Sequence, residues 1–290
     1  MKEEELNTYA KNTWCPGCGN FGILTSFKKA VVELVDEGFK KENFVVVTGI
    51  GCHGKIYDYL NLNGFYSLHG RPIATAVGIK LANPNLNVVV FAGDGDTYAE
   101  GISHFIHAAR RNSNITLVVH DNQVFALTTG QFTPTSEFRF KGKSTPQGSP
   151  ENPLNPIELA LVSGATFVAR AFALDINHLK GILKEGIRHK GFSFIEVLQP
   201  CISFHNTSEY IRNHSYKLEE SGHDYTNFEA ALRKSREWDY NFNEKSRIPL
   251  GIFYKVERET FEERVGVNKP FYKIEREVSI EDLMKSFENY

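Results

Sequence analysis

The chain has 290 residues, 41% of them hydrophobic, four cysteines and a formal net charge of −2. That is enough apolar material for a large core, and the near-neutral charge leaves no footprint for nucleic acid or an anionic membrane surface. No apolar run approaches the roughly 20 residues that span a bilayer, and the acidic start Met1-Lys2-Glu3-Glu4-Glu5 lacks a signal stretch, so a cytoplasmic protein with no membrane or nucleic-acid partner is expected.

A polar lead-in over 1–13 gives way to a rigid turn, Trp14-Cys15-Pro16-Gly17-Cys18-Gly19. Apolar positions at Leu24, Phe27, Ala30, Val31 and Leu34 predict a helix from about Phe21 to Glu37, stopped by Gly38. Phe44 to Thr48 is a continuous apolar run, the form taken by a parallel strand buried on both faces. It ends in Gly49-Ile50-Gly51-Cys52-His53-Gly54-Lys55. Ser67-Leu68-His69-Gly70-Arg71-Pro72 then leads into a helix over Ile73 to Ala82, with Pro72 suited to its first turn. Val88 to Phe91 is the next strand, followed by Ala92-Gly93-Asp94-Gly95-Asp96 and a helix from Thr97 to Arg111. Ile115 to Val119 is a strand that delivers His120-Asp121-Asn122-Gln123-Val124. Residues 126–155 read as a long loop, a feature more often functional than idle. A helix (Pro156 to Ser163), a strand (Thr166 to Ala171), a helix (Ile176 to His189) and a strand (Ser193 to Leu198) complete the alternation of a doubly wound parallel α/β sheet. After Gln199-Pro200-Cys201 the texture turns polar. A helix near Asn227 to Trp238, an apolar segment over Ile248 to Tyr254 and a final helix from Ile280 to Phe287 are expected in a C-terminal extension, 206–290. It follows a first unit over 1–205 and packs on that unit or on another chain.

Two loops carry the chemistry. Gly93-Asp94-Gly95-Asp96 stands at the carboxyl end of a strand, where open α/β sheets bind ligands. Glycines there admit backbone N–H groups to a diphosphate, and a helix start favours an anion. Two carboxylates in the turn would repel a bare phosphate, but Mg²⁺ is commonly held by one or two carboxylates plus phosphate oxygens. Asp94, the Asn122 side chain 28 residues on and the Val124 carbonyl offer three hard oxygen ligands. A Gly-Asp-Gly turn followed at this distance by an Asn, each after an apolar strand, has the spacing of the thiamine-diphosphate motif; a surface Asp-Gly turn is the plainer alternative.

Cys15 and Cys18 form a CxxC knuckle, Cys52 lies in the second glycine-rich loop, and Cys201 follows the last strand. Such a set suits one [4Fe–4S] cluster, which takes Cys₄ ligation. Structural zinc, usually bound by two CxxC knuckles, and buried or redox-active thiols are the alternatives.

In these pieces the sequence resembles the β subunit of the 2-oxoacid:ferredoxin oxidoreductases, the pyruvate and 2-oxoglutarate synthase family. The matching stretches are Trp14 to Gly19, Gly49 to Cys52, His69-Gly70-Arg71, Gly93 to Asp96, Arg110-Arg111-Asn112, Asp121-Asn122, Thr129-Gly130-Gln131 with Pro134-Thr135, and Gln199-Pro200-Cys201. They occur in the family order over about 12–205. The resemblance implies the thiamine-diphosphate-binding fold. Ile50, Gly51, Cys52, His53, His69, Gly93, Gly95, Asp96, Ala126 and Leu127 would contact thiamine diphosphate; Asp94, Asn122 and Val124 would hold Mg²⁺; Cys15, Cys18, Cys52 and Cys201 would hold the cluster. It further implies CoA-dependent oxidative decarboxylation of a 2-oxoacid to an acyl-CoA and CO₂, or the reverse, with electrons passing through the cluster to ferredoxin. The glutamate that activates the cofactor is expected on an α subunit, so this chain alone should be inactive. His53-Gly54 replaces the family's frequent Ser or Thr, Phe125-Ala126 its Tyr-Gly, and Thr129 the Lys of some members.

Lys55 and Arg71 are the cations nearest these loops and are candidate contacts for a substrate carboxylate, with solvated or carbonyl-bound side chains as the alternative. His69 is equally readable as a turn histidine, and His53 as a donor to a cluster sulfur. His104, His107, Arg110 and Arg111 share a helix and read as a packed and solvated face, since no third ligand recurs at helical spacing. Two rival functions remain: a non-redox thiamine-diphosphate decarboxylase or ligase subunit with structural zinc, and a non-catalytic scaffold or electron-transfer module.

Overall fold

The strands are β1 (Phe44–Thr48), β2 (Asn63–Tyr66), β3 (Asn87–Gly93), β4 (Thr116–Asp121), β5 (Val124–Phe125), β6 (Gln131–Phe132), β7 (Phe167–Phe172), β8 (Ser193–Leu198), β9 (Ser215–Lys217) and β10 (Ile248–Lys255). They alternate with helices α1 (Asn20–Asp36), α2 (Pro72–Ala82), α3 (Ile102–Arg111), α4 (Pro156–Val162), α5 (Ile176–Arg188), α6 (Ser208–His214), α7 (Phe228–Ser235), α8 (Phe261–Arg264) and α9 (Ile280–Phe287). The computed structural model describes residues 1–274 and 279–287.

Eight strands form one sheet in the order β2-β1-β3-β4-β8-β7-β10-β9, parallel from β2 through β7. β10 closes it antiparallel to β7, with a register shift between Ile252 and Tyr254, and β9 runs beside β10. β1, β4, β7 and β8 are buried at every position, as strands covered on both sides are, and the two charges inside β7 and β8, Arg170 and Glu196, pair with each other. One cover is built on Phe27, Val31 and Leu34 of α1 with Leu179 and Leu183 of α5; the other on Ile73 of α2, Phe105 of α3, Ile157 of α4 and Ala231 of α7. α1 stops at Gly38, whose φ of +107° suits a residue without Cβ. Asn155 accepts from the Glu158 N–H and Pro156 opens α4, both ordinary N-terminal devices.

Three details differ from the periodicity. The helix expected from Thr97 is interrupted: Gly95–Glu100 form a π turn, and α3 starts only at Ile102. β2 was not foreseen, because all four of its residues are exposed and carry no apolar run. The long loop contains a short hairpin, β5 with β6.

The connection leaves β1 toward β2 on one side, while β3 lies on the other. This reversal makes a crevice between the carboxyl ends of β1 and β3, the place where doubly wound sheets bind ligands.

Candidate active site at the carboxyl edge

The loops after β1 and β3 interlock through Asp96. It is 1% exposed and accepts from the Gly70 N–H at 2.7 Å; His69 Nδ1 lies 2.6 Å from it and His53 Nε2 3.3 Å. Burial pushes this carboxyl up, but the His53 imidazole, the Gly70 N–H and His69 outweigh that and hold it below the usual carboxylate value. The glycines make room for these side chains. A Cβ at Gly49 would stand 1.6 Å from Asp96 Oδ2, one at Gly93 2.8 Å from His53 Nδ1, and one at Gly95 2.2 Å from the Phe125 ring. Expected as room for a diphosphate, the glycines are first required by the protein's own packing.

Asp94 ends its strand 2% exposed. Thr133 Oγ1 donates to its Oδ2 at 2.6 Å and Thr135 Oγ1 at 2.9 Å. Burial nonetheless pushes the Asp94 carboxyl up to about 6, against the pull of those hydroxyls. Thr135 Oγ1 also lies 2.9 Å from Asp121, whose carboxyl burial and the neighbouring Asp94 and Glu196 push well above its ordinary value. Asn122 Oδ1 accepts from the Val124 N–H at 3.1 Å.

One pocket brings together Ile50, Gly51, Cys52, His53, His69, Gly93, Asp94, Gly95, Asp96, Asn122, Val124, Ala126 and Leu127, with His120, Phe125 and Thr128 completing its wall. A second cavity adjoins it and is lined by Cys15, Cys18, Cys52 and Cys201 together, with Trp14, Asn20, Lys55, Gln199 and Phe204 among its other walls. Cys52, Asn122 and Ala126 face both. Trp14 Nε1 donates to the Cys52 carbonyl at 2.6 Å, tying the knuckle to the β1 loop. Burial pushes the Cys18 thiol up to about 11, the Asn20 N–H pulls it down, and Cys201, Cys52 and Cys15 add to the rise.

The two candidate cations stand apart from the first pocket. Lys55 borders the thiol cavity, and its Nζ donates to the Thr13 carbonyl at 3.4 Å. Arg71 lines neither cavity; its Nη1 lies 3.2 Å from His104 Nε2.

Several residues of the site had no assigned place. His120 lies one residue past the expected end of its strand, is 1% exposed and lines the first pocket. Its Nδ1 lies 2.8 Å from Asn20 Oδ1, and its Nε2 has no hydrogen-bond partner. Thr133 and Thr135 reach Asp94 from 39 and 41 residues away. The sequence had marked only Pro134-Thr135, as one of the matching stretches and with no role toward Asp94.

Comparison with known proteins gives a consistent picture. The family model for the thiamine pyrophosphate enzyme C-terminal TPP-binding domain matches residues 49–197, and that for the C-terminal part of the pyruvate ferredoxin oxidoreductase beta subunit matches 201–269. The beta subunit of 2-oxoacid:ferredoxin oxidoreductase 1 from Aeropyrum pernix is 42% identical over 285 residues, covering 94% of this chain and 87% of that protein. A 2-oxoacid:ferredoxin oxidoreductase beta subunit from a Sulfolobus species is 45% identical over 276 residues, covering 90% and 88%. Among solved structures, 2-oxoglutarate:ferredoxin oxidoreductase from Magnetococcus marinus, with 2-oxoglutarate, coenzyme A and succinyl-CoA bound, superposes with a TM-score of 0.86 at 33% identity, over 99% of this chain and 96% of that one.

Proposed function

The chain belongs to the β subunits of the 2-oxoacid:ferredoxin oxidoreductases, and from that premise we propose that it is the cofactor- and cluster-bearing half of an enzyme converting pyruvate or 2-oxoglutarate, with coenzyme A, to an acyl-CoA and CO₂. The observation that carries this reading is the shared wall: the Gly-Asp pocket and the four-thiol cavity meet at Cys52, Asn122 and Ala126. Bound in those two places, thiamine diphosphate supplies an electron sink for loss of CO₂ from a 2-oxoacid, and a [4Fe–4S] cluster supplies a one-electron acceptor on the way to ferredoxin.

The residues present fit both groups. Asp94, the Asn122 side chain and the Val124 carbonyl are a hard-oxygen set for Mg²⁺, and a carboxyl that burial drives up to about 6 is one that a cation relieves. His53, His69 and Asp96 hold the β1 and β3 loops as one wall behind that set. Cys15, Cys18, Cys52 and Cys201 take the cluster. Zinc would draw four thiolates to about 2.3 Å from one ion. A cluster draws on the same four thiols, and metal analysis separates the two.

The described pocket wall holds no glutamate, and Leu127, which lines it, is 50% exposed. Both features support a site completed by an α subunit that brings the activating acid and excludes water. Within 206–274, β10 lies in the main sheet, which supports reading this stretch as an extension of the same domain. Among the described residues no helix is long and apolar enough to cross a membrane, and reduced thiols suit the cytoplasm.

The test is anaerobic copurification with the partner subunit, followed by iron, sulfide and thiamine analysis and a panel of 2-oxoacids with coenzyme A and ferredoxin. About four irons per chain and thiamine-dependent ferredoxin reduction are expected. A colourless zinc protein, or a brown one that reduces ferredoxin regardless of thiamine diphosphate, overturns the reading in favour of the decarboxylase or the electron-transfer module.

A further inference from the structure

Gln199 lines the thiol cavity, reaches Asn122, which faces both cavities, and uses both ends of its carboxamide. Its N–H donates to the Asp121 carbonyl at 2.8 Å, which extends the β4–β8 ladder by one bond and fixes the backbone beside Asn122. The side chain is buried, with the residue 2% exposed. Asn122 Nδ2 donates to Gln199 Oε1 at 3.2 Å. Gln199 Nε2 donates to Cys18 Sγ at 3.6 Å and to the Pro200 carbonyl at 2.9 Å. The orientation is unambiguous. A flipped amide would set its oxygen against a sulfur and a carbonyl, and its NH₂ against another NH₂. Gly19 is the matching concession: a Cβ there would lie 3.0 Å from Gln199 Cγ and 3.4 Å from Nε2.

We propose that Gln199 is a positioning residue that couples the two centres, holding the Asn122 amide with its oxygen turned to the cation while donating a hydrogen bond to the sulfur of a cluster ligand. The inference rests on the function proposed above. Hydrogen bonds to cluster sulfurs are one of the levers on cluster potential. A donor stabilises the extra negative charge of the reduced form, so the Gln199 contact raises the potential. The chain of amides also transmits. A cation on Asn122 Oδ1 draws charge from that amide and strengthens its Nδ2–H as a donor. The Gln199 carboxamide is polarised in turn, and its own N–H bonds the sulfur more strongly. Loading with Mg²⁺ and thiamine diphosphate therefore raises the cluster potential through protein atoms, in addition to any effect through space.

The experiment is an EPR-monitored redox titration of the assembled complex, with and without Mg²⁺ and thiamine diphosphate, in the natural sequence and in Gln199→Leu and Gln199→Glu. Gln199→Leu should lower the resting potential, shrink the shift on loading and weaken Mg²⁺-dependent cofactor binding on the order of tenfold. Gln199→Glu keeps an acceptor for Asn122 but loses the donor to Cys18. It should bind cofactor nearly as the natural sequence does while its loading shift shrinks; a carboxylate beside the cluster lowers the resting potential by charge alone, so the loading shift decides the matter even if the leucine variant assembles poorly. An unchanged loading shift in either assembled variant overturns the proposal. Failure of the underlying function looks different: the natural complex would itself lack the EPR-active cluster or the cofactor.

Discussion

At the carboxyl edge of the sheet, Thr97 Oγ1, His120 Nε2 and Asp121 Oδ2 are buried without hydrogen-bond partners, and His120 lines the first pocket. At the amino edge, Asn112 uses its whole amide. Oδ1 accepts from Thr166 Oγ1 at 2.7 Å and the Phe192 N–H at 2.8 Å, and Nδ2 donates to the Arg258 and Glu259 carbonyls at 3.1 and 3.2 Å. Sitting at φ +56°, it ties the end of α3 to the starts of β7 and β8 and to the C-terminal tail. Ser113 Oγ and Glu262 Oε1 are also buried without partners, but neither lines the candidate site. A buried polar atom without a partner costs stability, whereas a satisfied one specifies geometry. One edge thus gives up stability for groups that can meet a ligand, and the other holds the frame.

The sharpest way to break this contrast is Asp94→Asn. Cofactor binding in the presence of Mg²⁺ should fall by on the order of a hundredfold or more, while the unfolding midpoint of the cofactor-free chain should rise, because a carboxyl that burial disfavours is gone. Calorimetric titration read beside a denaturant melt checks both halves; a loss of stability with affinity intact would reverse the assignment. Asn112→Ala should do the opposite. Four hydrogen bonds disappear at a left-handed position, for a loss of about 2–4 kcal/mol in urea unfolding, with cofactor affinity unchanged in the folded fraction.

The frame should also respond to pH. Thr166 gives its single proton to Asn112, so His189 Nε2, at 2.8 Å, donates to Thr166. Burial, with Lys255 adding, lowers His189 from 6.5 to about 4. The folded state then resists protonation that the unfolded chain accepts. The contribution is fully present above pH 6.5 and is lost as pH falls from there toward 4. About 1–2 kcal/mol should go by pH 5, and His189→Gln should flatten that slope in a pH series of melts. The smallest effect expected is Thr135→Val, which removes one of two hydroxyls on Asp94. Mg²⁺-dependent cofactor affinity should drop about tenfold and return with Thr135→Ser; equal affinity in all three would remove the threonine from the site.

Legibility followed sequence distance and burial. The runs at Phe44 to Thr48 and Val88 to Phe91 announce parallel strands because both faces are covered, and the loops that follow them carry Asp94 and Cys52 as expected of carboxyl ends. β2 lay hidden because an exposed edge strand needs no apolar residues. His120 was missed by one residue, since a histidine is a poor sign of a strand until its burial is seen. The clasp of Thr133 and Thr135 on Asp94, and that of Gln199 on Cys18 across 181 residues, follow no spacing rule. They exist only because four loops meet at one edge.

The closing strand has a consequence for synthesis. β7 is finished at Phe172, and β8, on one flank, at Leu198, but the other flank of β7 is covered only when Ile248 to Lys255 emerge. At about 5–20 residues per second, that hydrogen-bonding edge stays bare on the ribosome for several seconds. A chain cut short before residue 248 never loses it. Truncations in the tail should therefore yield insoluble protein from a strand edge left open to neighbours, even where every loop of the cofactor pocket has already been made.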